Sequence, residues 1–541
     1  MRNKINLNYI QKQIKSKKGF ALIGTIILVF VVSTFGIALL TMTQNDIKLS
    51  TLQKASKETF YIAESGIEHA ISYLEEMGTP NFPSLHYLTE ENEHYIDMGN
   101  GKYKASIQSA TTTLSYIIQS TGERPWTNTS GKITKTIESK VILDNFAMYA
   151  YFSDNELFPE HIDPSYHEQK IWFYGEDLIG GPVHSNDRLH MAGTPTFESP
   201  VTSAWVNPTD PEDVSWEAYD SQTSPNFLGA PPYEGGVDRI ELPKFRKITD
   251  PTDSKSLQRI AAGTESLINT PPDGNGAYVP NDGSNVTDGI WIKGNVQKLV
   301  LGIDSQGNSQ IIVDQTATDN KRTTITTVKT PVTIGGFIRP SGTTVIEFKQ
   351  GEVYTYSPSL NGFTNGVLFV NGEVKNLQST AGDGGVKGKL TIASNSTITI
   401  GDNILYKTRV DDPNCFNVTE EDPYPNIPDS LGLVSEGDIK IASNAPTNLE
   451  INAILMALGT SFYYEGWKNK LQGTLTVHGS FIQKQRGPVG SFNSWGKQSG
   501  YNKDYQFDTR MSVDNPGLGQ VLPPHFPTTG KYIKLYWKEV D

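Results

Sequence analysis

The chain has 541 residues, too many for one compact core, so several domains or one elongated repetitive body are expected. A formal net charge of -13 and a pI near 5.3 argue against a nucleic-acid-binding surface. The single cysteine, Cys415, excludes an intrachain disulfide and a cysteine-built zinc site.

The first element is an apolar helix. Phe20 to Met42 is a run of 23 residues without a charge, and a bilayer core needs about 20 apolar residues in a helix. Arg2, Lys4, Lys12, Lys15, Lys17 and Lys18 precede it with no acid among them, which places residues 1–19 in the cytoplasm. A cleaved secretory signal would have a shorter core and a small-residue cleavage site, whereas this run exits through Thr43-Gln44-Asn45-Asp46. A single-pass anchor with the body outside is therefore expected, with 20–42 as the transmembrane helix and lipid as its partner.

The helix is predicted to continue over 43–77. Ile47, Leu52, Ala55, Ile62, Ala63, Ile67, Ala70, Ile71 and Leu74 recur at helical spacing. Gly66 is the weak point, and Gly78-Thr79-Pro80 is the stop signal. A helix from Phe20 to Met77 would be about 87 Å long.

Two motifs on this helix carry a resemblance. Lys17-Lys18-Gly19-Phe20-Ala21-Leu22-Ile23 resembles a type IV prepilin signal, and Ala63-Glu64-Ser65-Gly66-Ile67-Glu68-His69-Ala70 is similar to the signature that closes the N-terminal region of PilX-type pilus assembly proteins. The resemblance implies cleavage between Gly19 and Phe20 by a prepilin peptidase. It also implies N-methylation of Phe20, and a pilus or pseudopilus built with other pilin-like subunits and the assembly machinery. Signature positions Ala63, Glu64, Gly66, Glu68 and Ala70 would belong to the assembly helix. One departure matters: major pilins carry Glu four residues after the new N-terminus, and here that residue is Gly24. A minor or accessory subunit is the reading that fits, the bland alternative being an anchor that is never cleaved.

Beyond the helix, residues 78–146 read as a small α+β module. Alternating segments at 103–107, 114–118 and 133–143 are predicted to fold as strands against the emergent helix. Residues 147–541 read as a mainly-β body. Strands are expected at 290–303, 310–314, 323–334, 344–348, 366–370, 389–392, 397–400, 438–441, 449–458 and 474–482, many bounded by Asn, Ser or Gly corners as in KLTIASNSTITIGD. An irregular parallel β-helix is favoured, with a β-sandwich as the alternative. The Pro-, Asp- and Ser-rich stretch near 202–289 is expected to be an irregular insertion. Gly181–Asp187 with Gly193–Phe197, and the ending Pro523–Tyr532 with Trp537, are similar to segments of an uncharacterised family of secreted bacterial proteins.

Candidate chemistry is sparse. His184, Asp187 and His190 are zinc-ligand types, but on a strand His184 and Asp187 would face oppositely, so turn hydrogen bonds are the plainer reading. The acidic loop 411–429 is oxygen-rich enough to suggest calcium, yet lacks the EF-hand spacing. Otherwise no cofactor is implied. Cys415 has no basic neighbour in sequence to activate it. Tyr463, Tyr464 and Trp467 can stack on a polysaccharide or close a core. No hydrolase, metalloprotease or P-loop motif is present. The sequence thus points to a non-catalytic surface protein of assembly or adhesion. The rivals are a membrane-anchored β-helix carbohydrate-active enzyme and a passive surface-layer or spore-associated anchor.

Overall fold

The computed structural model describes residues 7–540 apart from 78–79, 111–113, 126–130, 176, 244–245, 272–274, 282–287, 306, 316–321, 328–343, 348–352, 357–365, 418–425, 494 and 513–520. The Gly78-Thr79 stop signal, the tails of two predicted strands (328–334 and Phe348) and residues 418–425 of the acidic loop therefore lie outside the described residues. The architecture is an N-terminal apolar helix with a mainly-β remainder, divided into two units: Met1–Ile142 with Tyr532–Asp541, and Leu143–Lys531.

The first unit is built on one unbroken helix, Leu7–Met77. It starts earlier than Phe20, so the Gly19–Phe20 peptide lies inside it. From Leu22 to Leu49 the large apolar side chains are exposed all round. From Thr59 the helix changes character. Thr59, Ile62, Ala63, Ile67, Ala70, Ile71 and Leu74 are buried on one face, the i, i+3, i+4 pattern of an amphipathic helix. Each fully buried Ile or Leu contributes about 1.5–3 kcal/mol. The face packs on an antiparallel sheet whose order is His86–Tyr87, Lys102–Ser109, Ser115–Pro125, Lys132–Asn145 and Thr528–Val540, with Ile96–Asp97 also paired to Lys102–Ser109. The C-terminal strand closes this sheet, so the unit draws on both ends of the chain.

Glycines set how closely helix and sheet approach. A Cβ on Gly66 would collide with the Ser120 hydroxyl and lie 2.7 Å from the Tyr103 ring; one on Gly122 would sit 2.7 Å from the Ala63 nitrogen. Gly66, a weak point by helix propensity, is thus a packing requirement.

The second unit is organised by parallel ladders. From Val367 to Tyr464 successive strands alternate between two of them. Val367–Asn371, Lys389–Ser394, Ser430–Ser435 and Leu449–Ala457 pair in one; Val374–Ser379, Ile398–Ile404, Ile439–Ile441 and Phe462–Tyr464 pair in the other. Side by side in the first ladder lie Ile290, Leu368, Ile392, Leu433, Leu455, Phe481, Tyr151, Val183, Val201 and Tyr233. The order is not sequential. After Leu471–Gln485 the next strand in space is Tyr151–Asn155, and the early residues extend the stack from there.

This row fills one hydrophobic cluster. The adjacent row, Trp291, Phe369, Ala393, Val434, Met456, Ile482 and Phe152, points to the other side and fills a second, completed by Leu257, Ala261, Ala262, Met511 and Phe526. Strands buried on both faces read as continuous apolar runs, which is why LFV, LTIA and AILMA show no alternation.

The stretch 202–289 departs from the expected insertion. Asn226–Phe227 and Tyr233–Gly235 add strands to the ladders, Glu217–Ala218 pairs with His190–Ala192 in a separate three-stranded sheet, and the helix Leu257–Ala262 covers the second row. Strands of two or three residues are too short to leave a periodic signal.

Candidate functional site

A row of serines marks the corner of the first ladder: Ser394 and Ser435 in register, then Ser153, Ser185 and Ser203. All are fully buried. Ser394 donates to Gly372 O and Ser435 to Ser396 O, each at 2.6 Å, and Ser203 donates to Asp187 O at 2.9 Å. The hydroxyls satisfy turn carbonyls that would otherwise be buried unpaired.

The His184 segment belongs to this corner. His184 follows Phe152 and precedes Thr202 in the outer row and stacks on the Phe152 ring at 5.3 Å. Its Nδ1 meets Thr202 Oγ1 at 2.9 Å and its Nε2 meets Asn186 Oδ1 at 3.1 Å. Asn186 in turn donates to Asp154 and to Ile240 O, and accepts from Ile240 N. Asp187 Oδ2 accepts from Glu156 N, and Asp187 Oδ1 from Arg188 N. His190 lies on another sheet, 3.6 Å from Glu217, and burial pushes its pKa down to about 4. His184, Asp187 and His190 do not converge; among the described residues no three His, Cys, Asp or Glu side chains group as metal ligands. The segment acts as a clamp that ties the strand at 183–185 to the chain near 240.

The most enclosed charge is Glu156. It is fully buried, accepts from Arg486 at 2.7 Å and Tyr151 at 2.8 Å, and also from Ser153. The Arg486 guanidinium lies 3.8 Å over the Phe173 ring. These contacts join Tyr151–Asn155 to the chain after Leu471–Gln485, the junction at which early and late rungs meet.

Two polar clusters resemble catalytic sites without their geometry. His161 Nε2 reaches Asp438 Oδ2 at 2.9 Å and Thr460 Oγ1 at 3.4 Å. A nucleophilic relay needs one ring nitrogen for each partner, and here one nitrogen serves both. On the second face, Glu450 pairs with Thr476 and then Asp504 in register, with Asn452 beside His478. Burial pushes the Glu450 carboxyl up. The two hydrogen bonds from Arg409, at 2.6 and 3.0 Å, and one from Asn452 outweigh it and hold that carboxyl below its ordinary range. Burial also pushes His478 down, and Phe416 stacks over its ring at 4.1 Å. A clamped carboxylate beneath a covered imidazole is suited to fixing the 407–417 segment rather than to proton transfer.

The remaining candidates resolve as packing. Tyr464 and Trp467 are buried in the first cluster, while Tyr463 is half-buried beside His161. Cys415 packs against the same cluster, and burial raises its thiol to about 11. Arg409, six residues upstream, is the cation that pulls its thiol down, but burial prevails. Of the acidic loop, residues 418–425 lie outside the described residues.

The helix signature is placed on the packing face. Ala63, Gly66 and Ala70 are buried against the sheet, Glu64 is partly exposed, and Glu68 is exposed and paired with Lys534. Glu58, one turn before this signature, pairs with Arg124 of the same unit.

A family described as a domain of unknown function (DUF4900) matches residues 111–205. That stretch contains the strands Ser115–Pro125 and Lys132–Asn145, the Glu156 junction and the His184 clamp. No curated protein and no solved structure matches the chain.

Proposed function

We propose that this chain is a membrane-anchored, pilin-like accessory subunit that displays a non-catalytic parallel β-helix body outside the cell. The observation that carries the reading is the division of labour along Leu7–Met77. Ala21–Met77 is the one described helix long and apolar enough to cross a membrane, its apolar side chains are exposed through Leu49, and it becomes a one-faced packing helix from Thr59. A stretch that packs on nothing within its own chain is suited first to lipid and then to the helices of neighbouring subunits. The cationic leader sets the N-terminus inside. Gly19 supports processing because glycine lowers the cost of unwinding the helix at the scissile bond, by about 1 kcal/mol relative to alanine. The β-helix reading rests on the two alternating parallel ladders and their buried rows.

N-terminal mass analysis of protein from the native host tests this. A mature chain beginning at methylated Phe20 is expected; a mature pool that keeps residues 1–19 overturns the processing step. Gly24 has open space around it, so Gly24→Glu fits sterically. The prepilin peptidase, the pilus machinery and an extracellular surface are the partners this reading requires.

A further inference from the structure

The second unit holds a polar pair inside its core, Lys503 and Asp177, that the anchor and assembly reading does not use. The strand Gly496–Phe507 runs parallel to Leu178–Ile179, with Asp504 opposite Leu178 and Tyr505 opposite Ile179. One step back in that register Lys503 meets Asp177, 326 residues away in sequence, and its ammonium donates to Asp177 Oδ2. Side chains alternate along a strand, so Lys503 follows Tyr501 and Tyr505, both buried in the first cluster, toward the core. Its Nζ lies 5.6 Å from the centroid of the Phe173 ring, which is fully buried.

Enclosure sets this pair apart. The Lys503 and Asp177 side chains are 13% and 7% exposed. In every other lysine–carboxylate pair among the described residues the lysine is more open, the most enclosed being Lys440 at 21%. A buried ion pair is costly, because both charges leave water. Burial pushes the Lys503 amine below its ordinary value; Asp177 opposes the fall and the Arg486 guanidinium adds to it. Passing the ammonium proton across the contact to the carboxylate removes both charges and leaves an amine against a carboxylic acid.

That neutral pair is a reactive one. A desolvated lysine amine is a nucleophile. Asp177 Oδ2 also accepts from Tyr174 N at 2.8 Å, a backbone donor fixed on the carboxyl where negative charge develops as its carbon is attacked. The parallel register holds the two groups together, and such orientation is worth an effective concentration of about 10⁵–10⁸ M. We propose that Lys503 and Asp177 condense to an intramolecular amide that locks the early rungs to the late ones. The Lys503 Nζ attacks Asp177 Cγ; the Nζ–Cγ bond forms and one Cγ–O bond breaks. That oxygen leaves as water, carrying the proton passed from the ammonium and one further amine proton. Nothing is oxidised or reduced, and no co-reactant is consumed. The bond closes the same junction that Glu156 and Arg486 hold by charge, in a chain whose single cysteine excludes a disulfide. The inference rests on the second unit alone and does not depend on whether the helix enters a filament.

Mass spectrometry of the detergent-solubilised full chain tests it. Wild-type protein is expected to weigh one water less than its sequence, counted from its own N-terminus. Its proteolytic digest is expected to contain a branched peptide joining the fragments around 177 and 503. Lys503→Arg keeps the positive charge but cannot form this amide, and Asp177→Ala removes the carboxyl. Both variants are expected at full sequence mass with no branched peptide. A wild-type digest that contains only linear peptides across the two positions overturns the proposal, as does a loss of water that persists undiminished in Lys503→Arg. The wild-type digest decides the matter even where a variant fails to fold.

Discussion

Gly66 sets two physical arguments against each other. Helix propensity alone says that Gly66→Ala gains about 1 kcal/mol. The contacts say the opposite, because the added Cβ meets Ser120 and the Tyr103 ring. Overpacking a close helix–sheet contact costs about 1–3 kcal/mol, so a net loss of stability is expected in denaturant unfolding of the detergent-solubilised chain. Glu436 gives a pH-dependent case. It is buried, and burial raises its carboxyl from 4.5 to about 7, with a smaller opposing hydrogen bond from Thr249. Between those values the folded chain holds a proton that the unfolded chain has released. Its contribution is therefore fully present below the unfolded pKa and is lost as pH rises through about 7. Glu436→Gln is expected to flatten thermal stability across that window and to raise it at pH 8. His190 has the opposite sign: its depressed pKa removes stability as pH falls from 6.5 toward about 4.

The stacked rows make the cost of a core truncation depend on its place in the ladder. Leu433 is fully buried in the middle of the inner row, flanked by Ile392 and Leu455, and Leu433→Ala is expected to cost about 2–5 kcal/mol. Among the described residues Tyr233 ends the same row, paired by Val201 and partly exposed, so Tyr233→Ala is expected to cost less; paired urea titrations measure the difference. How legible each element is in sequence follows from the same geometry. The helix could be read because its period is strong and its buried face is made of small and aliphatic residues. Runs such as LTIA at 390–393 and AILMA at 453–457 could be read because burial on both faces leaves them without a charged alternation. The rung order could not, since nothing local announces that 151–155 stacks beyond 471–485. The clamp was half-visible: GPVHSND stands out as a segment, but its partners Thr202, Asp154 and Ile240 lie 18, 32 and 54 residues from their contacts. The ring contacts among Trp172, Tyr219 and Phe492 left no signal, because these residues meet only through the fold.

At the level of the whole chain, the apolar half of the helix and the folded parts are separable by a physical criterion, namely where the helix first buries side chains. Up to Leu52 it contributes no buried residue among those described, and the first fully buried side chain is Thr59. Removing 1–43 therefore deletes the large apolar side chains that stand exposed between Leu22 and Met42. It leaves Ile62, Ala63, Ile67, Ala70, Ile71 and Leu74 in place on the sheet. This truncation is expected to give a chain that stays in solution without detergent, with a melting temperature within about 2 °C of the detergent-solubilised parent, since roughly 1 kcal/mol shifts a chain of this size by about 1 °C. Removing 1–77 is different. It strips the face that covers Tyr103, Ala105 and Ile118, each nearly or wholly buried, and exposes apolar sheet to water. Aggregation or loss of the cooperative transition is expected, read by light scattering during a thermal scan. Deleting 532–541 tests the C-terminal contribution to the same unit. The strand Thr528–Val540 lies at the sheet edge next to Lys132–Asn145, and Trp537 packs edge-on against Phe60 at 5.2 Å. Its loss uncovers an edge strand, which natural sheets protect. The truncated chain is therefore expected to melt lower and to associate through that edge. If it melts with the parent, the C-terminal strand is an ornament on the sheet rather than part of it.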